Sequence, residues 1–295
     1  MARRCVAAAR CLGYVVVTPS ISAVVVDYRA GEALAHCVAS LRDNGVTDVI
    51  VVDNAETPDS VHSLGGIPAT IIATGVNLGY GRGVNRGAAL ATGEFLIVSN
   101  PDILVHDGSV AKLVEFLASH PEVAIVAPRI ERPDASVYPS QRVFPNVWLA
   151  GAHAVLGPWW PDNPATRRYR AARADGSVEW VSGAFFLMRR ADFEAVGGFD
   201  ERFFMFAEDM DLCWRVRERA LGIAALNEAV VTHAEGLSRR HASRAMLVAH
   251  HVSALRFEAY HARGWRRLLV PVAAVLLGAR LVVALITTGE STVSE

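Results

Sequence analysis

One run of the sequence concentrates side chains able to move a proton. Phe203-Phe204-Met205-Phe206-Ala207 leads directly into Glu208, Asp209 and Asp211, with Leu212, Cys213, Trp214 and Arg215 following. A carboxylate against apolar surface has its pKa raised, which suits a general base. Acids at the start of a helix can equally be ordinary N-terminal residues stabilised by its dipole, and the run alone does not decide between the two. Leu212, Val216 and Ala220 recur at helical spacing, so Glu208 and Asp209 fall at the beginning of the predicted helix. Asp211 and Arg215, one turn apart, make a supporting pair on it.

A second set of polar residues recurs at one kind of place. Asp27 follows the apolar run Ile21–Val26, Asp53-Asn54 follows Asp48–Val52, and Asn100-Pro101-Asp102 follows Phe95–Ser99. In an open α/β sheet the edge at the strand C-termini is where ligands bind. Singly, each aspartate reads as a turn or N-cap residue; together they call for a bound cation or for ribose and base hydrogen-bond donors. His233, after Val230-Val231, is a metal ligand or a structural histidine on the same reasoning. The glycine-rich stretch Asn77–Gly87 is not a dinucleotide fingerprint, because Val84 occupies the third glycine position. Its glycines permit close backbone approach to a ligand, and Arg82 or Arg86 could face phosphate or solvent.

The elements that must position these groups alternate. Strands are predicted at 21–26, 48–52, 69–73, 95–99 and 123–127, and helices at 32–44, through 87–91 after the glycine-rich turn, and at 109–119. That order implies an α/β fold with a mainly parallel sheet. From Tyr138 to Trp180 the chain is irregular and rich in proline, with Trp148, Trp159, Trp160 and Trp180 suiting a sugar or lipid contact or a small satellite core. Arg167, Arg168, Arg170 and Arg173 could meet an acceptor diphosphate or form a solvated basic loop. Trp180–Met188 reads as one strand, with Ser182-Gly183 leaving room for an acceptor.

The formal net charge of -1 over 295 residues offers no global basic field, which argues against a nucleic-acid partner. Cys5, Cys11, Cys37 and Cys213 form no CxxC pair and read as reduced thiols of a cytosolic compartment. The opening Met1–Ser20 begins with positive charge, but Arg10 interrupts its apolar run and no small-residue cleavage site follows, so a poorly ordered extension is expected rather than a signal peptide. Near the other end, Ser243–Arg263 reads as a helix with Leu247, Ala254 and Leu255 inward. Leu268–Thr287 is then almost wholly apolar and about 20 residues long, enough for a membrane span. Arg280 in its middle would be costly at bilayer depth. That favours an interfacial helix, with Arg263, Arg266 and Arg267 on anionic headgroups, over a span or a helix packed on the domain.

Taken together, the motifs resemble the family 2 inverting glycosyltransferases of the GT-A fold, from Ile21 to Ala234. Asp53-Asn54 resembles the family's base- and ribose-reading step, and Asn77–Asn85 its Asn-x-Gly-(Phe/Tyr)-(Gly/Ala)-x-Gly-x-Asn signature. The resemblance therefore implies nucleotide-sugar contacts at Asp27, Asp53, Asn54, Asn77, Gly79, Arg82, Asn85 and Asn100. Asn100-Pro101-Asp102 stands where the metal-binding Asp-x-Asp is found and Glu208-Asp209 where the base motif is found. It implies Asp209 as general base oriented by Glu208, and Asp102 with His233 holding Mg2+ or Mn2+; Trp180, Gly183, Asp211 and Arg215 fall on the acceptor side. Two positions depart from the pattern: Asn100 replaces the first acid, and Asp27 replaces the usual Thr/Asn-Tyr-Asn ending.

Val137–Ser140, His153–Pro161 and Gly197–Arg202 are similar to the actinobacterial rhamnosyltransferases of this family. That implies dTDP-L-rhamnose as donor, a polyprenyl-diphosphate-linked N-acetylglucosamine as acceptor, and work at the cytoplasmic face of the membrane in cell-wall synthesis. Transfer of galactose, galactofuranose or glucose, or a silent glycolipid-binding scaffold, are the alternatives. The expected organisation is an extension at 1–20, a catalytic domain at 21–235 (nucleotide half 21–128, acceptor half 129–235) and a membrane-associating helical region at 236–295.

Overall fold

The computed structural model describes residues 19–57, 60–144, 156–157, 159–170, 178–234 and 244–290. Most of the N-terminal extension, Trp148, 151–155 and Arg173 lie outside them. The β-branched runs form the strands expected of them: Ile21–Asp27, Asp48–Asp53 and Phe95–Ser99 are buried on both faces, whereas the edge strand Thr70–Ala73 is largely exposed. Ile21–Asp27 (β1) pairs in parallel with Asp48–Asp53 (β2) and with Phe95–Ser99 (β4), and β2 with Thr70–Ala73 (β3). The register sets Asp27 directly beside Asp53. Val123–Glu131 (β6) pairs in parallel with Gly222–His233 (β10), whose far end carries Ile103–Val105 (β5) in antiparallel.

One strand was read too long. Trp180–Met188 divides into Trp180–Val181 (β8), which pairs with Gln141–Arg142 (β7) in a small second sheet, and Phe185–Arg189 (β9) in the main one. The break falls at Ser182-Gly183-Ala184, the one place in the run without a bulky side chain. β9 lies antiparallel between β4 and β6, giving the order β3-β2-β1-β4-β9-β6-β10-β5. A strand from the expected acceptor half thus sits inside the sheet of the nucleotide half, so both halves share one sheet.

Helices cover both faces of that sheet. Glu32–Asp43 (α1) and Ser109–Ser119 (α3) bury Leu34, Leu41, Val110, Leu113 and Leu117 with Ala23, Val25 and Ile97 of the strands. The opposite face packs Val24, Val26, Ile50 and Val52 against Val84 of a helix at Tyr80–Ala88 (α2), and Leu212 and Val216 of one at Glu208–Glu218. The helix expected after the glycine-rich turn is made of that turn. Glycine costs a helix about 1 kcal/mol per residue, yet α2 begins at Tyr80 and includes Gly81, Gly83 and Gly87. Packing decides this: a Cβ on Gly87 would lie 2.5 Å from Val24 Cγ1, and one on Gly83 2.9 Å from Val26 Cγ1. The glycines give α2 close approach to the sheet, where a ligand had been expected.

Pro164–Arg170 (α4) leaves Arg167 and Arg168 exposed, and Arg190–Ala195 (α5) follows β9. The helix Glu208–Glu218 (α6) is followed, after β10, by Arg244–His261 (α7). α7 buries His251, Ser253, Phe257 and Glu258, whereas Leu247, Ala254 and Leu255 are only half-buried, because it is aromatic and polar groups that meet the 203–206 segment and α6. A 3-10 turn at Gly264–Leu269 enters Val270–Glu290 (α8). The helical stretch Gly264–Leu285 is long and apolar enough to cross a membrane, at a mean hydropathy of 2.5, and only 6% of that window is buried. Packing on the domain is therefore not what covers it. Two of the cations expected to face headgroups are engaged by the fold: Arg263 pairs with Glu218, and Arg266 approaches Glu258 at 3.6 Å.

The tight face of α2 has a measurable consequence. Gly87→Ala should destabilise the protein by about 1–3 kcal/mol through overpacking on Val24. Gly79→Ala should cost more, because Gly79 has φ +86 and its Cβ would meet the backbone oxygen of Phe204 at 2.1 Å. Urea denaturation checks both; equal stability of Gly79→Ala and wild type would refute the packing account.

Candidate active site

The acid run lies at the N-terminus of α6, preceded by two non-glycine residues in the left-handed region, Phe206 (φ 66) and Ala207 (φ 63). Each such residue costs on the order of 1–3 kcal/mol and persists only where surrounding structure enforces it. Here Ser253 of α7 donates to Met205 O at 2.8 Å, Phe203 is fully buried, and Tyr80 N–H donates to Phe204 O at 3.1 Å. The expected aromatic wall is only partly one: Phe203 belongs to the core and faces Tyr260, Phe206 stands edge-on to His250, and Phe204 is half-exposed.

The two acids of the pair differ in their surroundings. Asp209 Oδ2 accepts Gly183 N–H and Oδ1 accepts Met210 N–H, both at 2.8 Å. Glu208 is buried and its Oε2 has no partner. Burial, reinforced by the charge of Asp209, pushes the Glu208 carboxyl up to about 8. Burial also raises Asp209, but the Gly183 and Met210 N–H groups and the Arg142 charge oppose it. The pair therefore holds its proton on Glu208 and leaves Asp209 as the carboxylate, the division that assigns base and partner. Gly183 does not open space here. A Cβ on it would lie 3.3 Å from Asp209 Cβ and from Tyr80 Cε1, so the glycine lets Asp209 reach the backbone.

The second cluster gathers at the C-terminal end of β4 and the end of β10. His233 Nε2 lies 3.0 Å from Asp102 Oδ1, and Asn100 Nδ2 is 3.5 Å from the same nitrogen. Apart from that contact, buried Asp102 Oδ1 and His233 Nδ1 have no partners. A carboxylate oxygen and an imidazole nitrogen fit Mn2+ or Mg2+, which keep several waters and take further ligands from substrate phosphate. Among the described residues no three His, Cys, Asp or Glu side chains converge, so the donors found among them are these two. The clusters are linked, since Asn100 N–H donates to Ala184 O at 2.8 Å, next to the Gly183 that holds Asp209.

At the far end of the edge, Asp27 and Asp53 are fully buried side by side. Asp27 Oδ1 accepts Ala30 N–H and Asp53 Oδ1 accepts Ala55 N–H, while the Oδ2 of each has no partner. Burial pushes Asp27 up to about 6, against the nearby Ser60 hydroxyl and the Ala30 N–H and with a contribution from Asp53. Two buried acceptors without donors suit the hydroxyl and N–H donors of a nucleoside.

Other expected site residues are occupied by the fold. Asn54 donates to Gly79 O at 3.0 Å, Asn77 accepts Gly79 N–H at 2.9 Å, and Asn85 both donates to Phe199 O and accepts Phe199 N–H at 2.9 Å. Arg82 donates to Glu201 O, so it braces the 199–202 segment. Trp180 is buried, with its indole N–H on Val143 O at 3.0 Å, and so presents no free face to an acceptor. Asp211 is shared between Arg215 Nε at 2.7 Å and His261 Nε2 at 2.8 Å, a contact that ties α6 to α7.

Tyr80 is the residue the motif reading passed over. Its hydroxyl donates to Gly183 O at 2.6 Å, and the acidic groups Glu208, Asp209 and Asp102 all lie near it. Burial first, then the neighbouring acidic groups, hold its phenol well above the usual tyrosine range, so it stays a neutral donor. Its place beside Gly79 in the signature was the available signal.

Comparison with known proteins identifies the family and the fold. The model of glycosyl transferase family 2 matches residues 22–197. The N-acetylglucosaminyl-diphospho-decaprenol L-rhamnosyltransferase of Mycobacterium tuberculosis (strain ATCC 25618 / H37Rv) is 36% identical over 268 residues, 85% of this chain and 87% of that protein. Rhamnosyltransferase WbbL of Escherichia coli (strain K12) is 29% identical over 148 residues, 46% of this chain and 54% of that protein. The solved mannosyltransferase PcManGT from Pyrobaculum calidifontis, in complex with GDP-Man and Mn2+, superposes with a TM-score of 0.58 at 17% identity, covering 93% of this chain and 80% of that one. The fold is that of the GT-A glycosyltransferases.

The unequal acid pair has a pH signature. Burial raises the folded Glu208 carboxyl from the ordinary glutamate value of 4.5 to about 8, so the folded state binds more protons in that window and loses stability as pH rises through it. Glu208→Gln cannot ionise. Its melting temperature should match wild type near pH 5 and exceed it by several degrees at pH 8.5; a constant difference across that range would refute the assignment. Tyr80→Phe, which frees Gly183 O, should lower kcat by about tenfold through the loosened Asp209, with little change in donor KM.

Proposed function

The chain belongs to glycosyltransferase family 2, and from that premise we propose that it transfers L-rhamnose from dTDP-L-rhamnose, with inversion, to N-acetylglucosamine carried on a polyprenyl diphosphate. The observation that carries this reading is the likeness, along most of both chains, to the mycobacterial rhamnosyltransferase. The acid pair supplies a mechanism consistent with it. The acceptor hydroxyl oxygen attacks the anomeric carbon while the bond from that carbon to the nucleoside diphosphate breaks. Asp209 takes the hydroxyl proton, and protonated Glu208 keeps a second negative charge away from it. A single displacement inverts the centre and needs no enzyme nucleophile.

Asp27 and Asp53 would take the base and ribose, each through its free Oδ2. Asp102 and His233 would hold Mg2+ or Mn2+, with Asn100 beside them. A divalent cation there supplies compensation for the negative charge growing on the departing diphosphate. Residues 21–235 would form the catalytic domain. The region from 236 onward would hold it at the cytoplasmic face of the membrane, since the exposed apolar surface of α8 needs an apolar medium and a lipid-linked acceptor resides there.

Asp209→Asn should lower kcat by about 10²–10⁴-fold while leaving dTDP affinity within about twofold, because only the base is lost. Radiolabel transfer from dTDP-rhamnose, UDP-galactose, UDP-galactofuranose and UDP-glucose to a synthetic lipid-diphosphate acceptor tests the donor. Preference for any UDP-hexose would overturn the rhamnosyl reading, and loss of dTDP binding in Asp209→Asn would overturn its role as base.

A further inference from the structure

Helix α6 opens in a way that its own sequence does not supply. A helix start is normally fixed by an extended Ser, Thr, Asp or Asn whose side chain caps a free N–H. At α6 that position is Ala207, left-handed at φ 63 and without a side-chain cap. Phe206 before it is left-handed too, at φ 66. Among the described residues this is the one place where two consecutive residues other than glycine take a conformation that a Cβ disfavours. Both acids of the pair follow directly, so the path of the chain here decides whether Asp209 meets Gly183 N–H.

The groups that hold this path come largely from one helix far along the chain. From His250 to His261, α7 runs beside the segment 202–211. Ser253 Oγ donates to Met205 O at 2.8 Å, and the Arg256 guanidinium donates to Arg202 O. His250 stands edge-on to Phe206 at 5.2 Å, and Tyr260 edge-on to Phe203 at 6.2 Å. His261 Nε2 reaches Asp211 Oδ1 at 2.8 Å. Of these hydrogen bonds, that of Ser253 falls nearest the left-handed pair, on the residue just before it. A serine within a helix weakens it slightly and commonly bonds the carbonyl one turn back or faces water. Ser253 does neither: it is 3% exposed and donates across to the neighbouring segment.

We propose that α7 is a positioning element for the acid pair and that Ser253 is its positioning residue. By holding Met205 O, Ser253 keeps Phe206 and Ala207 left-handed, and this seats the Asp209 carboxylate on Gly183 N–H. The role rests on Asp209 as the base of the proposed function, and not on the identity of donor or acceptor. Ser253 touches no reacting atom in it and acts through the backbone alone. Tyr80 holds Phe204 O from the α2 side, so the segment is gripped from two directions.

The measurement is amide hydrogen exchange at Gly183 in the full chain, together with kcat and donor KM. Ser253→Ala should speed Gly183 exchange at least about tenfold and lower kcat by about tenfold, with donor KM within about twofold. Glycine takes a positive φ without steric penalty, so adding Ala207→Gly to Ser253→Ala should return exchange and kcat to within about threefold of wild type. A helix that only adds stability would lower the melting temperature and leave both quantities unchanged in the folded variant; that result overturns the proposal. So does a loss that Ala207→Gly does not rescue, or a rise in donor KM as large as the fall in kcat. If Ser253→Ala does not fold, Ser253→Cys, a weaker donor of similar size, replaces it, and unchanged Gly183 exchange in that folded variant overturns the proposal. Absence of transfer by wild type from any donor, with the exchange pattern as expected, would count against the proposed function alone.

Discussion

The close seating of α2 is the constraint on which the rest of the site depends. Its glycines bring the helix backbone onto Val24 and Val26, so its other side can reach the segment that leads into the acid pair. Asn85 holds both backbone groups of Phe199, Tyr80 N–H holds Phe204 O, and Arg82 holds Glu201 O. The Tyr80 hydroxyl then crosses to Gly183 O, and Gly183 N–H holds Asp209. A continuous set of hydrogen bonds thus runs from the sheet to the proposed base. A side chain at Gly83 or Gly87 would lift α2, and every later contact would move with it.

The electrostatics follow from that placement. Asp27, Asp53, Asp102, Glu208 and Asp209 are brought to one edge of the fold, and buried Asp27, Asp53, Asp102 and Glu208 each retain an oxygen without a hydrogen-bond donor. Unpaired buried acceptors are costly, which supports the proposal that a ligand satisfies them here. They are not equivalent. Glu208 and Asp27 are shifted upward by burial, whereas Asp209 has two backbone N–H groups to hold its charge. Chemically similar acids are thereby suited to different work by their neighbours.

The C-terminal hairpin is part of the same machine. His261 and Arg215 share Asp211, Arg263 pairs with Glu218, and Ser253 holds Met205 O. These contacts fasten α7 to the helix that bears the acids and to the strained residues just before it. The helix with the apolar exposed surface is therefore anchored to the proposed catalytic centre, where the proposed lipid-borne acceptor would be delivered.

Much of this was legible in the residues themselves. Alternation of β-branched runs with amphipathic segments identified β1, β2, β4, α1 and α3 nearly to the residue, because a strand buried on both faces and a one-sided helix each leave a local periodic trace. The carboxylates at strand ends and the acids opening α6 were visible for the same reason: their positions depend on where an element stops. Tertiary structure decided what periodicity cannot encode. It turned the glycine-rich stretch into a helix, broke Trp180–Met188 in two, and inserted β9 between β4 and β6. It also gave Asn54, Asn77, Asn85 and Trp180 internal partners and brought Tyr80 to Gly183. Each of these outcomes is a contact between residues far apart in the chain, and its energy belongs to the packed pair, so the local sequence around either partner carries no record of it.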